Sequence, residues 1–235
     1  MLSSVDIWVG TAGTLVLWAL SGMVSILLGL LLAAGSLSGH APVRLLARGS
    51  VNVTRGVPTS LLVLVAGIGM LRLVPIPALP PVFPGTPAAF QHIAWGIMLA
   101  LALGSAGHLA EIFLAARAAL GRCRLEQAAV LGLSPWHQVV LLTREAAAMA
   151  LPPTSARLVH HLHNTAFAAL FPVTDIFGVI QGQSNGTFRV FHWALLGCAM
   201  YVTLSGLIWG VGRLAEAAVV SPAVQPRGRR VSVWS

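Results

Sequence analysis

From Ile7 to Ala34 the chain runs 28 residues without one charged side chain. A helix that crosses the hydrocarbon core of a bilayer needs about 20 apolar residues, so this stretch is long enough to cross and to tilt. Trp8 fits an interfacial end and Trp18 a tilted helix. The preceding MLSSVD lacks the positive charge of a secretory leader, and the apolar run is too long for one. The segment therefore reads as a retained membrane span.

The rest of the chain agrees. Only 9% of the 235 residues are charged, against about 25% in a soluble domain. Fourteen basic and six acidic side chains cannot cover a water-facing surface of this size. An ordinary soluble enzyme, a disordered tail and a nucleic-acid-binding domain are all excluded. The net charge of +8 by itself suits nucleic acid, but the charges lie between long apolar segments and do not form one basic face. Every basic residue is arginine, and there is no lysine. Cys123 and Cys198 are far apart and match no disulfide framework or CxxC metal pattern, so they read as unpaired thiols.

Five spans are expected in one transmembrane domain covering residues 1–235: about 7–34, 57–74, 92–116, 152–171 and 190–212. PIPALPPVFPGTP, which follows the second, is too rich in proline for a regular helix and reads as an exposed loop or re-entrant turn. The fourth span is weakly apolar and has to hide its polar face inside the protein. Pro152 and Pro153 suit its start, where a missing N–H costs little. The arginines orient the bundle. With the N-terminus outside, Arg44, Arg48, Arg55, Arg117, Arg122, Arg124, Arg144, Arg213, Arg227, Arg229 and Arg230 fall inside. Only Arg72 and Arg189 fall outside, with Arg157 ambiguous. That distribution follows the positive-inside rule and puts the C-terminal tail, residues 213–235, in the cytoplasm.

The inside loop, about 117–151, is too polar to span and too patterned to be slack. Leu125 to Leu131 reads as a short helical run that Gly132 stops, because glycine accepts the left-handed conformation just past a helix end. Ser134 then caps a new helix. Ala128 and Ala129 offer small residues for close approach by a partner. The bland alternative is an amphipathic helix lying on the membrane.

EQAAVLG in this loop resembles the EAA loop of ABC importer permeases, with Glu126, Gln127, Ala128 and Gly132 on the pattern. Four further segments resemble motifs of the polar amino-acid branch. RGVPTSLL, beginning Arg55-Gly56 and carrying Pro58, resembles RGTPLL. GHLAEIF (Gly107 to Phe113) resembles AYxAEIF. HNTAF (His163 to Phe167) resembles KDTSL, and VTDIF after it resembles VxELT. All five occur in the family's order. The resemblance, over roughly residues 10 to 215, implies an all-α, MetI-like permease fold of about five helices in a bacterial cytoplasmic membrane. It implies a homologous or identical permease subunit beside this chain, a cytoplasmic ATPase dimer below, and an extracytoplasmic amino-acid-binding protein above. This chain would bind no cofactor, and ATP and Mg would belong to the ATPase. The contact with the ATPase would use Glu126, Ala128, Ala129, Gly132 and Leu133. The sequence departs from the family at Cys123-Arg124, Thr143-Arg144-Glu145 and Leu114.

Ionisable groups within spans suggest function. His108 and Glu111 share a face of the third helix. They either line a path or form a structural pair that locks helices together. His160, His161 and His163 admit a metal reading with Glu111, although a polar stripe facing a bundle interior has the same spacing. As the counterpart of the family's Lys-Asp-Thr, His163, Asn164 and Thr165 would line the path or pack between subunits. Replacing that lysine and aspartate by His163 and Asn164 removes a fixed positive charge. The expected cargo is therefore a polar amino acid of cationic, histidine-, arginine- or lysine-like type.

No GxxxxGK[ST] phosphate loop occurs, so ATP hydrolysis would need another chain. The competing reading is a membrane metal carrier or enzyme built on Glu111, His160 and His163, but no HExxH or nucleophile-elbow motif supports it. A partner-binding scaffold is a third. The tail PRGRRVSVWS would lie near anionic lipid.

Overall fold

A computed structural model describes residues 4–72, 79–121, 127, 130–132 and 134–219. The described elements are helical: α1 (Ser4–Ser36), α2 (Ala41–Gly56), α3 (Thr59–Arg72), α4 (Gln91–Ala119), α5 (Pro135–Asn164), α6 (Ile176–Thr187) and α7 (Val190–Val219). A 3₁₀ segment, Thr165–Leu170, extends α5.

Helices α1, α4 and α7 are each long and apolar enough to cross a bilayer. Helices α2 and α3 qualify together, as a pair bent by 96°. The bend follows from the sequence. Val57 is extended at φ −94° and ψ 125°, the conformation favoured just before a proline, and Pro58 supplies no N–H to continue α2. The first half of the pair is amphipathic. Ala47 and Val51 are buried, while Leu45, Leu46 and Arg48 face outward.

Helix α4 is the axis of the bundle and its most buried element, packed by α1, α2, α3 and α5. The core gathers Leu17 of α1, Val63 of α3, Ile93, Ile97 and Leu101 of α4, and Phe171 after the 3₁₀ segment. Small residues on α4 allow backbones to approach closely, the usual solution where lipid offers no hydrophobic drive between helices. A Cβ on Gly107 would stand 3.0 Å from the Val51 carbonyl of α2. Helix α7 is peripheral, with only Gly197 buried.

Two expectations change. The proline-rich stretch is not simply exposed in its described part, 79–87. Phe83 and Thr86 are buried. The Gln91 side chain clamps this turn, accepting from Phe83 N at 3.2 Å and donating to the carbonyls of Phe83 and Thr86. The other change is at Pro152 and Pro153, which lie inside α5 and do not start it. The start is Ser134, whose side chain accepts from His137 N. The prolines release the carbonyls four residues earlier from helical bonding. One turn on, Ser155 Oγ donates back to the Leu151 carbonyl at 2.9 Å, and the helix continues past them.

Candidate functional site

Two of the sequence motifs meet in space. Arg55, in the last turn of α2, forms an ion pair with Glu111 of α4 at 3.2 Å. RGVPT and AEIF are therefore two sides of one contact, next to the close approach at Gly107. The side chains are 44% and 45% exposed, so solvent screens the pair and its worth is about 0–1 kcal/mol. Of the two roles open to Glu111, the geometry displays the structural one. His108 sits one turn up the same face of α4, and Gly56 and Pro58 form the elbow that aims Arg55.

The three clustered histidines diverge. His161 is fully buried and bonded at both ring nitrogens, with Ser21 Oγ of α1 at 2.7 Å from Nε2 and Ser105 Oγ of α4 at 2.8 Å from Nδ1. The bond directions assign its tautomer. Ser21 already donates to the Leu17 carbonyl at 2.6 Å, so it accepts from His161 Nε2–H. Ser105 accepts from Arg157 Nη2 at 3.2 Å, and an arginine can only donate. Its hydroxyl hydrogen is then free for His161 Nδ1. His161 thus serves as a neutral three-helix tie, with no lone pair left for a metal.

His163 turns the other way, toward α7. Its Nε2 lies 3.0 Å from Ser205 Oγ, and its ring meets Tyr201 edge-on at 6.2 Å. His160 lies 3.5 Å from Asn164 Nδ2 through its Nδ1. Thr165 is buried and donates to the Leu162 carbonyl at 2.7 Å. With Glu111 held by Arg55, no group of three His, Cys, Asp or Glu side chains that could hold a metal forms among the described residues.

Sequence reasoning left two residues without a role. Arg157 of α5 donates from Nη2 to the Gly104 carbonyl at 3.0 Å as well as to Ser105. Asp175 caps α6, accepting from Phe177 N at 3.2 Å and Gly178 N at 3.0 Å, beside Thr14 Oγ1, which accepts from Ile176 N at 2.9 Å. This turn lies outside the spanning helices. Burial pushes the Asp175 carboxyl up to about 7, against the lowering effect of its cap bonds. The Asp of VTDIF was the available signal, since Asp is a preferred N-cap.

In the loop between α4 and α5, Gly132 has the expected left-handed conformation at φ 67°. Val130 and Leu131 before it are exposed, at 87% and 74%. Glu126, Ala128, Ala129 and Leu133 lie outside the described residues.

No family model matches the chain. Among curated proteins, it is 26% identical over 211 residues to the histidine/lysine/arginine/ornithine transport system permease protein HisM of Salmonella typhimurium, covering 88% of this chain and 87% of the relative. It is 28% identical over 172 residues to the glutamate/glutamine/aspartate/asparagine permease protein BztC of Rhodobacter capsulatus, covering 73% of this chain and 36% of the relative. Among solved structures, an amino acid ABC transporter with histidines superposes with a TM-score of 0.74 at 22% identity, over 91% of this chain and 94% of that one. The inward-facing MetNI methionine ABC transporter superposes with a TM-score of 0.66 at 18% identity, over 94% of this chain and all of that one. Fold and relatives agree: the chain is a multi-pass membrane protein homologous to the permease subunits of polar amino-acid ABC importers and has their fold.

Proposed function

We propose that this chain is one permease subunit of a bacterial inner-membrane importer. It pairs with a homologous or identical permease. A cytoplasmic ATPase dimer that binds ATP and Mg drives it, and an extracytoplasmic binding protein supplies a polar amino acid. The chain carries no chemistry of its own and crosses the membrane five times, with the N-terminus outside. The fourth crossing is α5, whose polar residues turn inward, as the buried His161 does. The observation that carries this reading is the HisM relationship over 88% of the chain. The loop about 117–151, with the left-handed Gly132 before the Ser134 cap, is the proposed ATPase contact.

The cationic cargo keeps its support in the HisM relative and in the missing lysine at His163. A second reading, an acidic or amide amino acid, is favoured by one observation. Arg157 places a positive charge in the bundle with no ion-pair partner among the described residues.

Purification of the tagged chain from its native membrane tests the assignment. An ATPase and a permease partner should copurify, and reconstituted vesicles should accumulate an amino acid when binding protein and ATP are added. A chain that purifies without any ATPase would sink it. A substrate panel then separates cationic from acidic and amide cargo.

A further inference from the structure

Arg157 lies at the middle depth of the bundle. The carbonyl of its neighbour Leu158 accepts from Trp18 Nε1 at 3.0 Å, and Trp18 is close to the midpoint of α1. A guanidinium at that depth is costly unless it is paired or faces water. The partners it has are neutral: the Gly104 carbonyl and Ser105 Oγ, both taken by Nη2. Its Nε is buried with no hydrogen-bond partner. The described carboxylates that could balance it are occupied elsewhere. Glu111 is bound by Arg55, Glu216 by Arg213 at 3.0 Å, and Asp175 caps α6. One turn before Arg157, Thr154 Oγ1 is also buried and without a partner.

The Arg157 charge reaches three imidazoles: the tied His161, and beside it His108 of α4 and His160 of its own helix. His160 is exposed and Arg157 is partly so, so this cluster borders space that the chain itself does not fill. An uncompensated cation, two imidazoles and a buried hydroxyl at mid-depth form a site waiting for an anion.

We propose that Arg157, with His108 and His160 beside it, is a carboxylate-binding site that takes the α-carboxylate of the amino acid in transit. This rests on the permease reading above. It is compatible with a cationic, acidic or amide side chain, because every amino acid carries that carboxylate. The anchoring of Nη2 by Gly104 and Ser105 fixes the guanidinium plane before substrate arrives. With both Nη2 hydrogens engaged, the carboxylate would be met at Nη1, through a charge-assisted bond and not through a bidentate fork. Ser105 also joins Arg157 to His161, so the three-helix tie and the proposed site share one hydroxyl.

The test is equilibrium binding of radiolabelled glutamine, histidine and arginine to the purified permease–ATPase complex in nanodiscs without the binding protein. Each is competed by the free amino acid and by its α-amide. The wild-type complex should prefer the free acid by about ten-fold or more. Arg157→Gln should abolish that preference while the complex stays assembled, and Arg157→Lys should retain part of it. Ser105→Ala removes one Nη2 bond but not the charge, and should keep most of it. The proposal is overturned if Arg157→Gln keeps the wild-type ratio, or if the wild type binds nothing or without preference. It is also overturned if Ser105→Ala loses the preference as fully as Arg157→Gln. Loss of permease pairing in Arg157→Gln with an intact ratio would make Arg157 an interface group instead. Copurification of the ATPase and uptake with binding protein judge the permease reading separately, so a working importer without this preference defeats the Arg157 site alone.

Discussion

Arg55 at the end of α2 and Glu111 in the body of α4 face each other at 3.2 Å, on either side of the packing between Gly107 and Val51. The pair fixes where the bent second span meets the central helix. Because both side chains are nearly half exposed, Arg55→Gln and Glu111→Gln should each lower stability by no more than about 1 kcal/mol, with a coupling of similar size in a double-mutant cycle. Thermal melting of the solubilised protein measures this. A loss of several kcal/mol from either change would show a desolvated pair.

The glycine beside that pair tolerates no side chain. Gly107→Leu places new atoms against the α2 backbone, with the Cβ alone 3.0 Å from the Val51 carbonyl. Overpacking of this kind typically costs about 1–3 kcal/mol. The same melting assay should show a larger loss for leucine than for alanine at this position.

His161 predicts a structural phenotype that zinc does not mimic. His161→Leu removes one bond each from Ser21 and Ser105, which keep their Leu17 and Arg157 partners, at about 0.5–1.5 kcal/mol for each bond lost. Zinc added to the wild type should leave the melting temperature unchanged. Stabilisation by equimolar zinc that disappears in His161→Leu would restore the metal reading.

Gly132 predicts a change in coupling without loss of the bundle. At φ 67° a leucine is strained by about 1–3 kcal/mol, and no atom of the described residues lies within 4 Å of the Cβ position to make packing the cause. Gly132→Leu should leave helix content unchanged, by circular dichroism, and reduce the ATPase that copurifies or its stimulation by substrate. Unaltered coupling would remove this loop from the ATPase contact.

Asp175 gives a pH dependence with a definite sign. Its carboxyl titrates near 7 in the fold, against an ordinary value of 3.8. The folded state therefore holds the proton more tightly, and this contribution to stability falls as pH rises from about 4 to about 7. Asp175→Asn keeps an N-cap and has no proton to lose. It should flatten that part of the stability curve and exceed the wild type above pH 7. A variant with the wild-type slope would assign the titration to another group.

Much of this protein was legible in one dimension. Solvent chemistry requires a charge-free run such as Ile7 to Ala34 to be a helix in lipid, and Pro58 requires a break after Val57. Gly132 and Ser134 announced their bend and cap through local backbone preference, and both took it. Pro152 misled, because a proline suits a helix start but can also sit within a long helix that continues past it. Other outcomes depended on which helices became neighbours. Three histidines within four positions looked like one cluster, yet packing sent His161 to two serines on α1 and α4 and His163 to Ser205 of α7. Glu111 gained Arg55 from 56 residues earlier in the chain, and Arg157 received no counter-charge among the described residues. Composition and periodicity, which act within a few residues, determined a helical membrane bundle. Partners for its ionisable groups come from side chains on other helices, so only the tertiary structure decided which charges are satisfied and which remain open to a ligand.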